Sequence, residues 1–252
     1  MTFLQMVAVL VAGLAAGAIN VVVGSGTLIT FPTLLAFGVP PVTANVSNTI
    51  GLVPGVASGV VGYRRELRGQ RARSIRLGSG SVLGGVAGAV LLLVLPSSAF
   101  RAIVPLLILV GLVLVVLQPR ISVWVNKRHE GATGEFGPWW VWPAVVGTGV
   151  YGGYFGAAQG VILMGILGIA INDSLQRLNG LKNVLAGLVN GVAGLIFVFV
   201  ADVDWTVVAL IAAGSIVGGQ LGATVGRRLS PPVLRIVIVI VGLVALASFL
   251  LR

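Results

Sequence analysis

Cysteine is absent and histidine occurs once, at His129. Disulfides, thiolate nucleophiles and cysteine metal sites are therefore excluded, and a multi-histidine metal site cannot be assembled. Charge is scarce as well. Asp, Glu, Lys and Arg make up 9% of the 252 residues, against about 25% in an ordinary soluble domain. No charged side chain occurs between Met1 and Tyr63. The six acidic residues, Glu66, Glu130, Glu135, Asp173, Asp202 and Asp204, all fall in expected loops or caps. A buried carboxylate proton relay is not expected, although proton coupling through the substrate's own protonation stays open. The Gly-x-x-x-x-Gly-Lys-Ser/Thr pattern is missing, so the chain lacks a phosphate loop of its own for ATP. No basic residue precedes the first apolar run, which argues against a cleaved signal peptide and for residues 3–23 as mature membrane sequence.

What is abundant points one way. Hydrophobic residues make up 57% of the chain and the mean hydropathy is +1.09. Several apolar runs reach the roughly 20 residues that a membrane helix needs. The 37 glycines suit close helix packing and tolerate helix breaks. The net charge of +10 would fit nucleic acid if it were clustered on one surface. It lies instead in short loops between apolar runs, as the positive-inside bias requires. The expected class is an all-α polytopic protein of the plasma membrane (a prokaryotic inner membrane).

Two stretches are too long for one span and too short for two. Residues 3–38, as one helix, would be about 54 Å long, against a hydrocarbon core of about 30 Å. A hairpin of shortened helices, bent near Gly24-Ser25-Gly26, fits this length. Pro32 then sits in the first turn of the second arm or kinks it. Residues 139–171 repeat the problem, with a break around Gly152–Gly160. Ordinary spans are expected at 42–62 (Thr43 as N-cap), 77–95, 100–118, 175–200 (capped by Asn172-Asp173-Ser174), 205–226 and 233–251. Arg101 is expected at an interface. Trp139, Trp140 and Trp142 read as an interfacial aromatic belt.

The loop Tyr63–Arg76 holds six arginines, at 64, 65, 68, 71, 73 and 76, and marks the cytoplasmic side. Contact with anionic lipid is a role open to it. The chain divides into a first transmembrane repeat (1–118), a cytoplasmic linker (119–138) and a second repeat (139–252). Shifting the second half onto the first superposes Gly26 on Gly160, Asn45 on Asn179, Asn48 on Lys182, Thr49 on Asn183 and Arg101 on Arg235. Each half reads as a broken helix or helical hairpin followed by three transmembrane helices. If the broken units cross an even number of times, every basic cluster falls on one side and the two repeats are inverted. That arrangement is common in secondary transporters.

A break in a membrane helix exposes backbone N–H and C=O groups, which is tolerated only inside protein or along a wet cavity. Helix starts at Gly24, Ser25, Gly26 and Thr27, and at Gly156, Gln159 and Gly160, attract anions. Asn45, Asn48 and Thr49 share one helix face, as do Asn179, Lys182 and Asn183. Lys182 is the only lysine in an expected span. These residues compose an expected anion-binding cavity in which Lys182 supplies charge and the asparagines donate hydrogen bonds. The competing reading has the asparagines locking helix packing and Lys182 snorkelling to the cytoplasmic interface.

Gly24-Ser25-Gly26-Thr27-Leu28-Ile29-Thr30-Phe31-Pro32-Thr33-Leu34-Leu35, then Gly38-Val39-Pro40 and Ala44-Asn45-Val46-Ser47-Asn48-Thr49, resembles the TauE/SafE sulfite exporter family. Leu178-Asn179-Gly180-Leu181-Lys182-Asn183-Val184-Leu185 resembles that family's asparagine-lysine variant. Ser25 and Ala157-Ala158-Gln159 stand where glycines are usual. The resemblance spans nearly the whole chain. It implies a transporter of small anions, sulfur-containing ones such as sulfite, sulfonates or sulfoacetate, rather than an enzyme. An anion channel and a non-transporting membrane assembly protein are the other classes. The expected partners are a small anionic substrate and the lipid bilayer, with a homo-oligomer left open. Neither nucleic acid nor a cofactor is expected.

Overall fold

The computed structural model describes residues 1–128 and 136–224, together with 236, 238–241 and 243. Among these the regular structure is helical, with nine helices before residue 225: α1 (Phe3–Val22), α2 (Thr27–Ala36), α3 (Pro41–Gly62), α4 (Arg71–Val94), α5 (Ser97–Arg128), α6 (Val141–Tyr154), α7 (Gln159–Ala170), α8 (Leu175–Val200) and α9 (Trp205–Thr224). Helices α1, α4, α8 and α9, with α5 as far as Arg120, are long and apolar enough to cross a bilayer. Helix α3 has the length too, at 22 residues. Its polar residues Asn45, Ser47, Asn48 and Thr49 are buried inside the protein, which keeps them away from lipid.

Both overlong stretches are broken helices that fold back on themselves. Gly26 lies against Ala16 and Asn20, so α2 returns along α1; Gly137 lies against Ala170 and Ile171, so α7 ends where α6 begins. The second arms have 10 and 12 residues, about 15 and 18 Å of rise, half a hydrocarbon core. The first arm differs from expectation. Helix α1 has 20 residues and is not shortened, because the turn at Gly24 comes after a full span.

Other boundaries also moved. Pro32 is the sixth residue of α2, past its first turn. Helix α3 starts at Pro41 with Pro40 as cap, not at Thr43, because proline's fixed φ favours the first helical position. Helix α4 starts six residues before the expected Leu77, so Arg71, Arg73 and Arg76 are helical. Helix α5 runs on to Arg128 through the start of the expected linker; apolar residues continue after Pro119 and the next glycine is Gly131. The expected helix 175–200 and its Ser174 cap are observed, with the Ser174 hydroxyl accepting from the Arg177 amide. The Gly226–Pro232 loop, Arg235, most of the 233–251 span, His129, Glu130 and Glu135 lie outside the described residues.

Small residues set the packing. Gly214, Gly218 and Gly222 of α9 sit on the carbonyls of Leu10, Leu14 and Ala18 of α1, with backbones in direct contact. The register shows that α1 and α9 run in the same direction. Gly84 and Gly88 of α4 meet Val146 and Val150 of α6 in the same way. This is the small-residue spacing that lets membrane helices approach closely. Helix α3 runs against α8 in the opposite direction: Gly180 faces Tyr63, Gly187 faces Val56 and Gly194 faces Ile50. The largest core cluster gathers α1, α2, α3, α5 and both break regions around Phe31, Phe100 and Phe155.

Candidate functional site

The turn after α1 depends on Gly24, whose φ of +86° is costly for any residue with a Cβ. Gly26 precedes α2 as its cap, and its amide donates to Asn20 Oδ1 at 3.5 Å. Ser25 is 0% exposed, and its hydroxyl has no partner among the described atoms. Thr27 and Thr30 of α2 face Asn48 of α3. The Thr30 hydroxyl donates to Asn48 Oδ1, and Asn48 Nδ2 donates to Thr27 Oγ1 at 3.4 Å. Thr49 donates to the carbonyl of Asn45 at 2.9 Å.

The second break holds two consecutive demands on the backbone. Gly156 has φ +77° and Ala158 has φ +58°. A left-handed alanine costs about 1–2 kcal/mol. The segment is held from both sides: Tyr151 OH donates to the Ala157 carbonyl at 2.5 Å, and Asn45 Nδ2 donates to the Tyr154 carbonyl at 3.0 Å. Gln159 opens α7, is buried, and has an Nε2 without a described partner. Phe155 packs edge-on to Phe31 with centroids 5.1 Å apart, closing the site on the α5 side.

The two breaks meet. The Gly160 amide donates to the Gly24 carbonyl at 3.0 Å. A Cβ on either glycine would strike the other's backbone. The Lys182 stem crosses the same point, its Cδ lying against Gly160. The ammonium goes on to donate to the carbonyls of Asn20 (3.2 Å) and Val21 (3.0 Å) at the end of α1. Asn179 and Asn183 both donate to Val21 at 3.2 Å, and Asn179 also donates to Tyr63 OH at 2.8 Å.

Of the expected site residues, Gly24, Gly160, Asn179, Lys182 and Asn183 meet at the crossing and the adjoining end of α1, Asn45 and Asn48 hold the two breaks from α3, and Thr49 bonds within α3; all the expected residues are buried except Gly156, which is half-buried. Lys182 does not snorkel to an interface, since it is 0% exposed. Its hydrogen bonds, and those of Asn179 and Asn183, satisfy the terminal carbonyls of α1. A cation is favoured there because the C-terminal end of a helix carries partial negative charge.

Sequence reasoning missed a second polar group. Asp173 binds Arg73 and Arg177, each at 2.8 Å. Gln70 donates to the Arg177 carbonyl at 3.0 Å, and Arg177 donates to the Arg68 carbonyl at 3.0 Å. This cluster ties the arginine-rich loop to the start of α8. Burial alone would raise the Asp173 carboxyl, but hydrogen bonds from both arginines and the Ser174 amide outweigh it and hold the group below its ordinary range. A cavity of ≈ 380 Å³ near Arg64, Arg65, Gln220 and Thr224 also opens at this end, apart from the crossing. Among the described residues no cluster of acidic or histidine side chains could hold a metal.

The sequence that builds this crossing matches a known family. The family model described as "Sulfite exporter TauE/SafE" matches residues 9–249. The chain belongs to the TauE/SafE family. Its curated relatives carry transporter names. "Probable membrane transporter protein ORF9" of Sinorhizobium sp is 28% identical over 242 residues, covering 96% of this chain and 90% of that protein. "Probable membrane transporter protein YfcA" of Escherichia coli K12 is 25% identical over 243 residues, covering 93% and 86%. A "Probable membrane transporter protein" of Haemophilus influenzae is 26% identical over 230 residues, covering 87% and 86%. No solved structure matches the chain significantly. This TauE/SafE protein is a multi-pass membrane transporter of the plasma membrane.

Proposed function

We propose that this membrane protein is a secondary transporter of small anions, with sulfur oxyanions of the sulfite and sulfonate type as its substrate class. The observation that carries the reading is the crossing of the two breaks at Gly24 and Gly160 under the stem of Lys182. Helix starts attract anions, and a fully buried lysine supplies the matching charge. Gln159 and Ser25, both buried with unpartnered polar atoms, are the additional hydrogen-bonding groups at the breaks. Asn45, Asn48, Thr49, Asn179 and Asn183 complete the polar surround.

In this reading an arriving anion takes the Lys182 ammonium from the α1 carbonyls. Substrate binding then frees the end of α1 and couples to movement of the two hairpins. The antiparallel register of α3 and α8, which occupy matching positions in the two halves, supports an inverted repeat. On that architecture the arginine-rich end is cytoplasmic, and rocking of one repeat against the other gives alternating access.

The test is counterflow in liposomes containing the purified protein, with sulfite, thiosulfate, taurine, sulfoacetate and sulfate as the panel. Saturable exchange that disappears in Lys182→Ala, with normal protein levels, is the expected result. Conductance above carrier rates would replace the carrier by a channel. Absence of both would leave a membrane assembly protein.

A further inference from the structure

We infer that the site selects singly charged anions over doubly charged anions of the same size. The inference rests on the proposed transport reading and narrows its substrate class. Two buried cations stand out among the described residues, Arg73 and Lys182, and they are treated differently. Arg73 faces the carboxylate of Asp173 at 2.8 Å. Lys182 takes part in no ion pair among the described residues. Its described partners are the neutral carbonyls of Asn20 and Val21. The groups around it, Asn179, Asn183 and Gly160, are neutral as well. Four of the six acidic residues of the chain lie among the described residues: Glu66, Asp173, Asp202 and Asp204. None of them is within the interior of a helix that crosses the membrane.

The protein side of the site therefore contributes one positive charge. A monoanion makes the closed complex neutral. A dianion leaves one negative charge uncompensated inside a helix bundle surrounded by lipid, where isolated charge is costly. The crossing is enclosed by α1, α7 and α8 and Lys182 is 0% exposed, which leaves no open face there for a lipid headgroup.

Two matched pairs test this: methanesulfonate against sulfate, and ethanesulfonate against sulfoacetate. Each is added to the purified wild-type protein, and stabilisation against heat is titrated alongside competition in counterflow. The monoanion of each pair is expected to act at a concentration lower by about tenfold or more. Equal potency, or a preference for the dianion, would overturn the inference while leaving anion transport intact. Failure of all four to stabilise the protein, with no counterflow of any panel anion, would overturn the transport reading and the inference together. Vesicles of anionic phospholipid form a further arm; competition by them against methanesulfonate would reassign the site to lipid and overturn the inference. In Lys182→Gln the discrimination within each pair should vanish. Retained discrimination in a folded Lys182→Gln protein would also overturn it, and if that variant does not fold, the wild-type pairs decide.

Discussion

The amide of Gly160 reaches the carbonyl of Gly24 across 3.0 Å, a direct backbone hydrogen bond between the two broken helices. Neither residue has room for a methyl group, because each would press on the other's Cα. Gly160→Ala should therefore force the breaks apart and cost about 1–3 kcal/mol of stability, as overpacking does. Gly24→Ala should cost more, since it adds a left-handed backbone penalty to the same collision. Thermal unfolding in detergent would rank them; a Gly24→Ala protein as stable as wild type would rule out this account of the crossing.

Asn45 is the side chain that satisfies the terminal carbonyl of α6, donating to Tyr154 at 3.0 Å. Asn45→Leu leaves that buried acceptor without its donor, at a cost of about 1–3 kcal/mol. Asn179→Leu should be milder, because Val21 keeps Lys182 and Asn183 as donors. A double comparison of melting midpoints checks the order.

Lys182→Met separates stability from transport. A buried charge is expensive to keep, and an apolar side chain of similar length often replaces one at little cost. The Val21 carbonyl retains Asn179 and Asn183. Relief of the buried charge offsets the loss of the Asn20 carbonyl's described donor, so the variant should stay within about 1 kcal/mol of wild type and lose anion exchange. Paired melting curves and counterflow give the answer; a collapsed fold would mean that the lysine is chiefly structural.

Asp173 predicts a pH window. Its folded carboxyl titrates below the ordinary value of 3.8, so the folded state favours the charged form. The resulting stability is fully present above that ordinary value and is lost as pH falls through the lower, folded one. Melting midpoints should show no pH dependence from this group between neutrality and a pH of about 5, then a decline below about pH 4. Asp173→Asn should lower the midpoint at neutral pH and flatten that acid decline. An unchanged acid slope in Asp173→Asn would place the titration elsewhere.

The broken units were legible because their lengths fit neither one span nor two, and because glycine and polar residues interrupt apolar sequence at Gly24–Gly26 and near Gly156. The cap at Ser174 was legible for the same local reason. What escaped was non-local. Arg73 and Asp173 are far apart in the chain, and Arg73 looked like one more basic loop residue until α4 began at Arg71. The sequence left Lys182 between an interior cavity and an interface; its burial excludes the interface, and its partners at the end of α1 follow from how α8 crosses α1. Residue spacing within α8 holds no information about that crossing. Boundaries set by continued apolar sequence, such as the run of α5 past Pro119, also lacked a local stop signal.

The glycine contacts of α9 with α1, and of α6 with α4, have a consequence for biosynthesis. Helix α1 is synthesised well before α9, whose glycines lie directly on its carbonyls. Helices α1 and α4 therefore have faces whose close partners, α9 and α6, come later in the chain. The small-residue face of α4 must wait in the bilayer until α6 is inserted, and that of α1 until α9. Truncation before Trp205 should leave a product that membrane quality-control proteases treat as unassembled, however completely its first helices are inserted.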